Sequence, residues 1–164
     1  MIIGVIADTH IPSRARAVPA PVLEAFARVD LIIHAGDLTD LKVLDDLSRL
    51  APVAAVAGNM DSWEVRRRLG ETRLLELEGF RIGILHGHGG YAGAQHRALA
   101  AFPGAHCVVF GHTHAPYCER SSSGVLLFNP GSPTDRRRQP RASYGLLHLG
   151  REIRGEIRYL DGGD

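Results

Sequence analysis

The sequence predicts an α/β protein in which two β-sheets are sandwiched between helices. Three features point there. Short apolar runs alternate with amphipathic helical runs in the first half, at the spacing of parallel βαβ units. The second half is rich in apolar runs joined by tight turns. Five polar clusters each follow directly on an apolar run. At 164 residues, with 45% hydrophobic and 23% charged residues and no linker or low-complexity tract, the chain is expected to form one domain over residues 1–164.

In chain order, Ile2 to Ala7 reads as a buried strand and Pro19 to Arg28 as a helix, since proline is tolerated in a first helical turn. Leu31 to His34 is a strand. Leu41 to Leu50 is a helix with Leu41, Leu44 and Leu47 on one face. Val53 to Val56 is the third strand, and Ser62 to Leu69 a short helix with Ser62 as its N-cap. A hairpin over Leu74 to Leu77 and Phe80 to Leu85 turns at Glu78-Gly79. A helix from about Ala92 to Phe102 leads to the strand Cys107 to Phe110. Tyr117 to Arg120 and Val125 to Phe128 form a second hairpin around Ser121 to Gly124, and Ser143 to Leu149 with Glu152 to Tyr159 close the chain as antiparallel strands.

A formal charge of +1 supplies no electrostatic reason for a nucleic-acid or anionic-membrane partner. Cys107 sits in an apolar run and reads as a core thiol, and Cys107 and Cys118 have neither CxxC spacing nor a disulfide framework. The chain enters an apolar strand at once, and no apolar stretch approaches the roughly 20 residues that span a bilayer. A cytoplasmic location and no stable nucleic-acid or membrane binding are therefore expected. Lys42 is the single lysine, which carries no functional message.

The polar clusters are Asp8-Thr9-His10, Gly36-Asp37, Gly58-Asn59-Met60-Asp61, His86-Gly87-His88 and Gly111-His112-Thr113-His114. Loops at the carboxyl ends of strands in an open α/β sheet converge on one edge, where ligands bind. Carboxylates, imidazoles and one amide carbonyl are all metal ligands, and this mixture of oxygen and nitrogen suits Mn, Fe, Ni or Zn better than Ca. Seven candidate ligands oversupply one ion, so two ions sharing a carboxylate is the economical reading. Taken singly, Asp8 could be a cap, Asn59 a turn residue, and His112 and His114 solvated loop residues. Five such clusters, each behind a β run, are hard to explain as turns. His34 is expected in the core or behind the site, and His96, His106 and His148 on the surface or in strands.

In order, "GVIADTH", "HAGDL", "AGNMD", "LHGH", "FGHTH" and "NPGSPT" resemble the calcineurin-like metallophosphoesterases, specifically their small single-domain bacterial and archaeal phosphodiesterase branch, from residue 4 to about residue 134. The resemblance implies a four-layer α-β-β-α sandwich with two mixed sheets. It implies that Asp8, His10 and His114 bind a first metal, that Asn59, His86 and His112 bind a second, and that Asp37 bridges both. It further implies two divalent ions per chain, Mn foremost, with Fe, Ni, Zn or Mg as alternatives. A hydroxide bridging them would hydrolyse a small phosphoester. Two ions about 3.5–4 Å apart clamp a phosphoryl group and lower the pKa of a bridging water. Asn129-Pro130-Gly131-Ser132 would be a structural loop near the site. Related small members form dimers or tetramers, so a homodimer or homotetramer is an expectation of the same kind.

Met60 departs from that pattern, because larger members place histidine there to protonate the leaving group and small members often place cysteine. General acid catalysis is typically worth about 10²–10⁴-fold, and most for a poor leaving group. The missing acid points to His88, to a water, or to a substrate that leaves easily. Asp61 is expected to brace a ligand, either His10 or another. Besides a phosphodiesterase, a phosphomonoesterase aided by the Arg136–Arg138 run and a non-catalytic scaffold of the same fold are the competing readings.

Overall fold

The computed structural model describes residues 1–90 and 92–160. It holds ten strands and four helices: β1 (Ile2–Ile6), α1 (Ala20–Phe26), β2 (Leu31–Ala35), α2 (Lys42–Ser48), β3 (Val53–Val56), α3 (Trp63–Leu69), β4 (Thr72–Leu77), β5 (Phe80–Leu85), α4 (Ala94–Ala101), β6 (Cys107–Val109), β7 (Tyr117–Arg120), β8 (Leu126–Asn129), β9 (Ser143–Leu149) and β10 (Ile153–Tyr159). One sheet runs β10-β9-β1-β2-β3 and the other β4-β5-β6-β8-β7. Both are mixed. β1 pairs parallel to β2 and β2 to β3, while β9 is antiparallel to β1 and to β10. In the second sheet β5, β6 and β8 are parallel and the edge strands β4 and β7 antiparallel.

Period-2 alternation sorts the strand residues into three apolar layers. Ile3, Val5, Ile33 and Val56 from the first sheet meet Ile82, Ile84, Val109, Leu126 and Phe128 from the second. On the outer side of the first sheet, Ile6 and Ile32 pack against Val22 and Phe26 of α1, Val43 and Leu47 of α2 and Val65 of α3. Outside the second sheet, Val108, Phe110 and Leu127 pack against Ala94 and Ala98 of α4. These layers make the α-β-β-α sandwich. The helices have only seven or eight residues, too short to persist alone, so packing of their apolar faces holds them. Ser62 caps α3 as expected, its hydroxyl accepting from the Val65 N–H at 3.3 Å.

One feature departs from the division into an α/β half and a β-rich half: the last two strands return to the first sheet beside β1. The reason lies in β9, where Leu147 and Leu149 face the second sheet while Tyr144 and Leu146 face the helices, so the strand needs cover on both sides. The hairpin is seated by Phe128 of β8, since a Cβ at Gly145 or Gly155 would lie 2.4 or 2.7 Å from its ring.

Candidate metal centre

The carboxyl ends of β1, β2, β3, β5 and β6 and the loops after them converge on one edge of the sandwich. The chain turns sharply there. Among the described residues eight other than glycine have positive φ, and five are Asp8, His10, Asp37, His112 and His114. Such conformations are sparsely populated and persist only where surrounding contacts enforce them. Gly58 is required by close approach, because a Cβ there would lie 2.2 Å from Asp37 Oδ1. Gly36 combines φ of +92° with a 2.7 Å approach of the His86 Nδ1 atom to its ideal Cβ position.

The side chains meet as two groups whose donor atoms lie within 4.8 Å of one another, Asp8 with His10 and His114, and Asp8 with Asp37 and His86. Asp8 Oδ1 stands 3.3 Å from His114 Nε2 and 3.8 Å from both His10 Nε2 and His86 Nε2. Asp37 Oδ2 lies 3.1 Å from His86 Nε2 and 3.7 Å from His10 Nε2. The two carboxylates thus lie between the histidines, and Asp8 touches as many of the imidazoles as the expected bridge Asp37 does, and one more. His112 stands edge-on to His86 with ring centroids 5.3 Å apart.

Whether these residues suit metal ions can be read from their unused atoms. Asp8 Oδ1, His10 Nε2, Asn59 Oδ1, His86 Nε2 and His114 Nε2 are buried with no aligned hydrogen-bond partner. Buried polar atoms are otherwise nearly always paired, and four of these five, all but Asn59 Oδ1, belong to the residues whose donor atoms cluster, which fits a cation. The far ring nitrogens are occupied as metal ligands require. His86 Nδ1 donates to the Ala35 carbonyl at 2.8 Å, and His114 Nδ1 donates to the Asp135 carbonyl.

Without a cation the site carries strong internal electrostatics. Burial opposes charge on His86, yet the carboxylates of Asp37 and Asp8 hold its ring up at about 9. Burial likewise opposes charge on His114, and Asp8 raises it above the ordinary histidine value. Burial outweighs both carboxylates at His10 and lowers it, and burial with the neighbouring His86 lowers His112. Burial would raise Asp37, but its contact with His86 keeps it below the ordinary carboxylate range.

Behind these groups lies a layer of hydrogen bonds that the sequence reading resolved only in part. Asp61 does not orient His10. Its Oδ2 accepts from the N–H groups of Asp37 at 2.9 Å and Gly58 at 2.7 Å, and its Oδ1 from Thr39 at 2.7 Å. It therefore locks the β2 loop to the β3 loop through three accepted N–H bonds. Met60 points its side chain to solvent, 60% exposed, while its N–H donates to Asp37 Oδ1 at 2.8 Å. His34 is fully buried: its Nδ1 accepts from the Gly36 N–H at 3.2 Å, so the neutral ring presents Nε2–H to Thr9 Oγ1 at 3.0 Å. His88 is exposed at the rim, 6.1 Å ring to ring from His86.

The "NPGSPT" stretch does more than its loop-like composition suggests. Asn129 Nδ2 donates to the Gly111 carbonyl at 2.9 Å and to Thr113 Oγ1 at 3.1 Å. Ser132 Oγ donates to the Asp8 carbonyl at 2.8 Å, and Thr134 Oγ1 to that of Thr9 at 2.6 Å. Its residues belt the Asp8 loop to the His112–His114 loop. The signal was present in the sequence as a run of hydroxyl and amide residues, but the partners of Ser132 and Thr134 lie more than a hundred residues away.

A two-sheet sandwich with clustered carboxylates and imidazoles at one strand edge defines an α/β protein whose clustered side chains could hold metal ions. Residues 1–152 match the calcineurin-like phosphoesterase superfamily domain, and the chain belongs to that family. It is 47% identical over 140 residues to a probable metallophosphoesterase of Methanothermobacter thermautotrophicus, covering 82% of this chain and 78% of that protein. It is 35% identical over 113 residues to the phosphodiesterase YfcE of Escherichia coli, covering 65% of this chain and 58% of that one. Among solved structures it is similar to wild-type Vps29 of Entamoeba histolytica in complex with zinc, at TM-score 0.77 and 26% identity over 97% of this chain and 99% of that one. Within the described residues no helix is long and apolar enough to cross a membrane.

Proposed function

We propose that residues 1–164 form a single domain that acts as a binuclear metal-dependent phosphodiesterase on a small phosphoester. The observation that carries this reading is the set of buried, unpaired donor atoms of Asp8, His10, His86 and His114 within the two clustered groups. Asp8, His10 and His114 would hold one ion and Asn59, His86 and His112 the other, with Asp37 between them. Manganese is the expected metal. When bound, such ions supply Lewis-acid charge to the phosphoryl oxygens and a nucleophile at neutral pH.

The chain's own residues then perform distinct tasks. The Met60 and Asp61 contacts keep the Asp37 carboxylate in one place, so little reorganisation accompanies reaction. The Ala35 and Asp135 carbonyls hold the Nδ1 sides of His86 and His114, leaving their Nε2 atoms to face the ions they would hold. Hydrolysis forms one phosphorus–oxygen bond from water and breaks the bond to the leaving oxygen, which takes a proton. Met60 cannot supply that proton. His88, exposed beside His86, is the side chain placed to do so. The name of the YfcE relative favours the diester.

The test is manganese loading followed by assay of bis(p-nitrophenyl) phosphate with wild type, Asp37→Ala and His86→Ala. Equal rates in all three would sink the reading. His88→Ala is checked on an unactivated diester, where unchanged turnover removes His88 from the mechanism.

A scaffold role has one observation in its favour: Met60 and Trp63 are 60% and 73% exposed beside the centre, an apolar pair at the rim. Metal content by itself does not separate the two readings, because a Vps29 protein of this fold is known with zinc. Turnover does.

A further inference from the structure

Thr134, whose hydroxyl donates to the Thr9 carbonyl, also lines a cleft of about 580 Å³. The turn before α1 and the strands β9 and β10 contribute to the same cleft, through Pro19, Tyr144 and Tyr159. Its volume lies within the roughly 300–1,000 Å³ range of small-molecule sites. No candidate metal ligand lines it, so it is distinct from the centre although it adjoins the belt that holds the Asp8 loop.

Arg136, Arg141 and Arg158 line this cleft, and no acidic residue does. Each arginine is held by a neighbour. Arg136 Nη1 donates to the Gln139 carbonyl at 2.7 Å, and the Arg141 guanidinium carbon stands 4.5 Å from the centroid of the Tyr159 ring. Arg158 Nε lies 2.7 Å from Glu156 Oε1. Among the described residues Arg136 and Arg141 have no carboxylate within ion-pair distance, so one acid faces three guanidinium groups. Pro19, Pro21, Pro133 and Pro140 also line the cleft, and a proline has no N–H to offer an anion. Recognition of an anion there falls to the arginines, while the proline and tyrosine rings give apolar cover to whatever the anion is attached to.

We propose that this cleft is a binding site for a dianionic phosphate group, that of a small phosphate monoester or the free ion, with Arg136 and Arg141 receiving it. The proposal goes beyond the phosphodiesterase reading and does not depend on it. Guanidinium forks match phosphate oxygens in paired hydrogen bonds. A monoester, with a second pKa of about 6, carries close to two negative charges at neutral pH, whereas a diester carries one. Two guanidinium groups without a counter-ion therefore select the monoester or the free ion over a diester.

The test is an NMR titration of the metal-free full chain, where no turnover intrudes, with adenosine monophosphate, orthophosphate, cyclic adenosine monophosphate (a diester) and adenosine. The monophosphate binds saturably and shifts the amides of Arg141, Ala142 and Tyr159. The cyclic diester and adenosine bind at least about tenfold more weakly, as loss of a charged hydrogen bond predicts. Orthophosphate weaker than the monophosphate assigns the site to a monoester, and orthophosphate equally tight assigns it to the free ion. The combined Arg136→Ala, Arg141→Ala variant weakens monophosphate binding by at least about tenfold. The combined Arg73→Ala, Arg151→Ala variant removes the same charge from exposed positions outside the cleft and leaves binding within about twofold. Thermal melts check that both variants are folded. Shifts confined to amides around Asp37, His86 and His114 overturn the site. So do adenosine or the cyclic diester binding as tightly as the monophosphate, and equal losses in the two double variants.

Discussion

Loops from the first sheet bring Asp8, His10, Asp37 and Asn59 to the edge and loops from the second bring the imidazoles of His86, His112 and His114, and the two sets are braced in different ways. On the first side the carboxylates and their loops are gripped by backbone N–H groups: Asp37 Oδ1 by Met60, and the loops of Asp37, Thr39 and Gly58 by Asp61. On the second side His86 and His114 are each turned by one carbonyl acceptor on Nδ1. The two sides are also bonded to each other, by the His112 N–H donating to Asp8 Oδ2 at 2.9 Å and by His86 Nδ1 donating to the Ala35 carbonyl. A carboxylate has several lone pairs and can spend some on positioning while keeping another for a cation. A neutral imidazole has one acceptor nitrogen and must spend its single N–H on orientation. The first half is therefore a network and the second a set of independent levers.

That contrast can be broken by mutation, beginning with the largest effect. Asp37→Ala should lower kcat/KM on bis(p-nitrophenyl) phosphate by on the order of 10³-fold and remove more bound manganese than His112→Ala does. Elemental analysis beside the kinetics checks it, and equal losses in the two variants would erase the distinction. Asp61→Asn should weaken manganese binding by about 10–100-fold although Asp61 touches no ion, as expected when a group that orients a ligand is altered. Calorimetry reads this, and an unchanged affinity would mean the loop network is not what holds Asp37.

Two histidines sharpen the comparison through pH. Burial drives His34 down to about 4, so the stability it contributes is complete above pH 6.5 and lost as pH falls through about 4. This amounts to roughly 3 kcal/mol at most and should flatten in a His34→Gln variant followed by thermal unfolding. His86 behaves oppositely in the metal-free protein. Held at about 9, it adds stability that is complete below pH 6.5 and lost as pH rises through about 9. Manganese needs the neutral ring, so its affinity should rise across that same window, with proton release detectable by titration in two buffers. The smallest effect belongs to Met60→Ala. Only the main-chain N–H of Met60 serves Asp37, so metal affinity should stay within about twofold.

Much of this molecule was legible in its sequence because the signals are local. Strand and helix positions follow from apolar runs and turns, and the described elements fall within a few residues of those expectations. The polar clusters announced themselves by standing directly behind strands. What escaped were partners far apart along the chain. His34 was rightly placed behind the site, but its hydrogen bonds to Thr9 and Gly36 required the β1–β2 register. Asp61 was expected to brace His10 or another ligand, and only the sheet order, which sets it beside Asp37, decides between them. Ser132 and Thr134 reach the Asp8 loop across more than 120 residues.

The amino-acid sequence alone determined which residues are apolar with period 2, where glycine and proline break the chain, and which side chains can ligate a cation. Those properties belong to each residue and its near neighbours. Tertiary structure decided that β9 and β10 join the first sheet, that Asp8 stands among three imidazoles, and that the arginine run folds back against the His112–His114 loop. Each of these depends on how the layers bury their faces together, a free energy shared by the whole core that no single stretch of sequence contains.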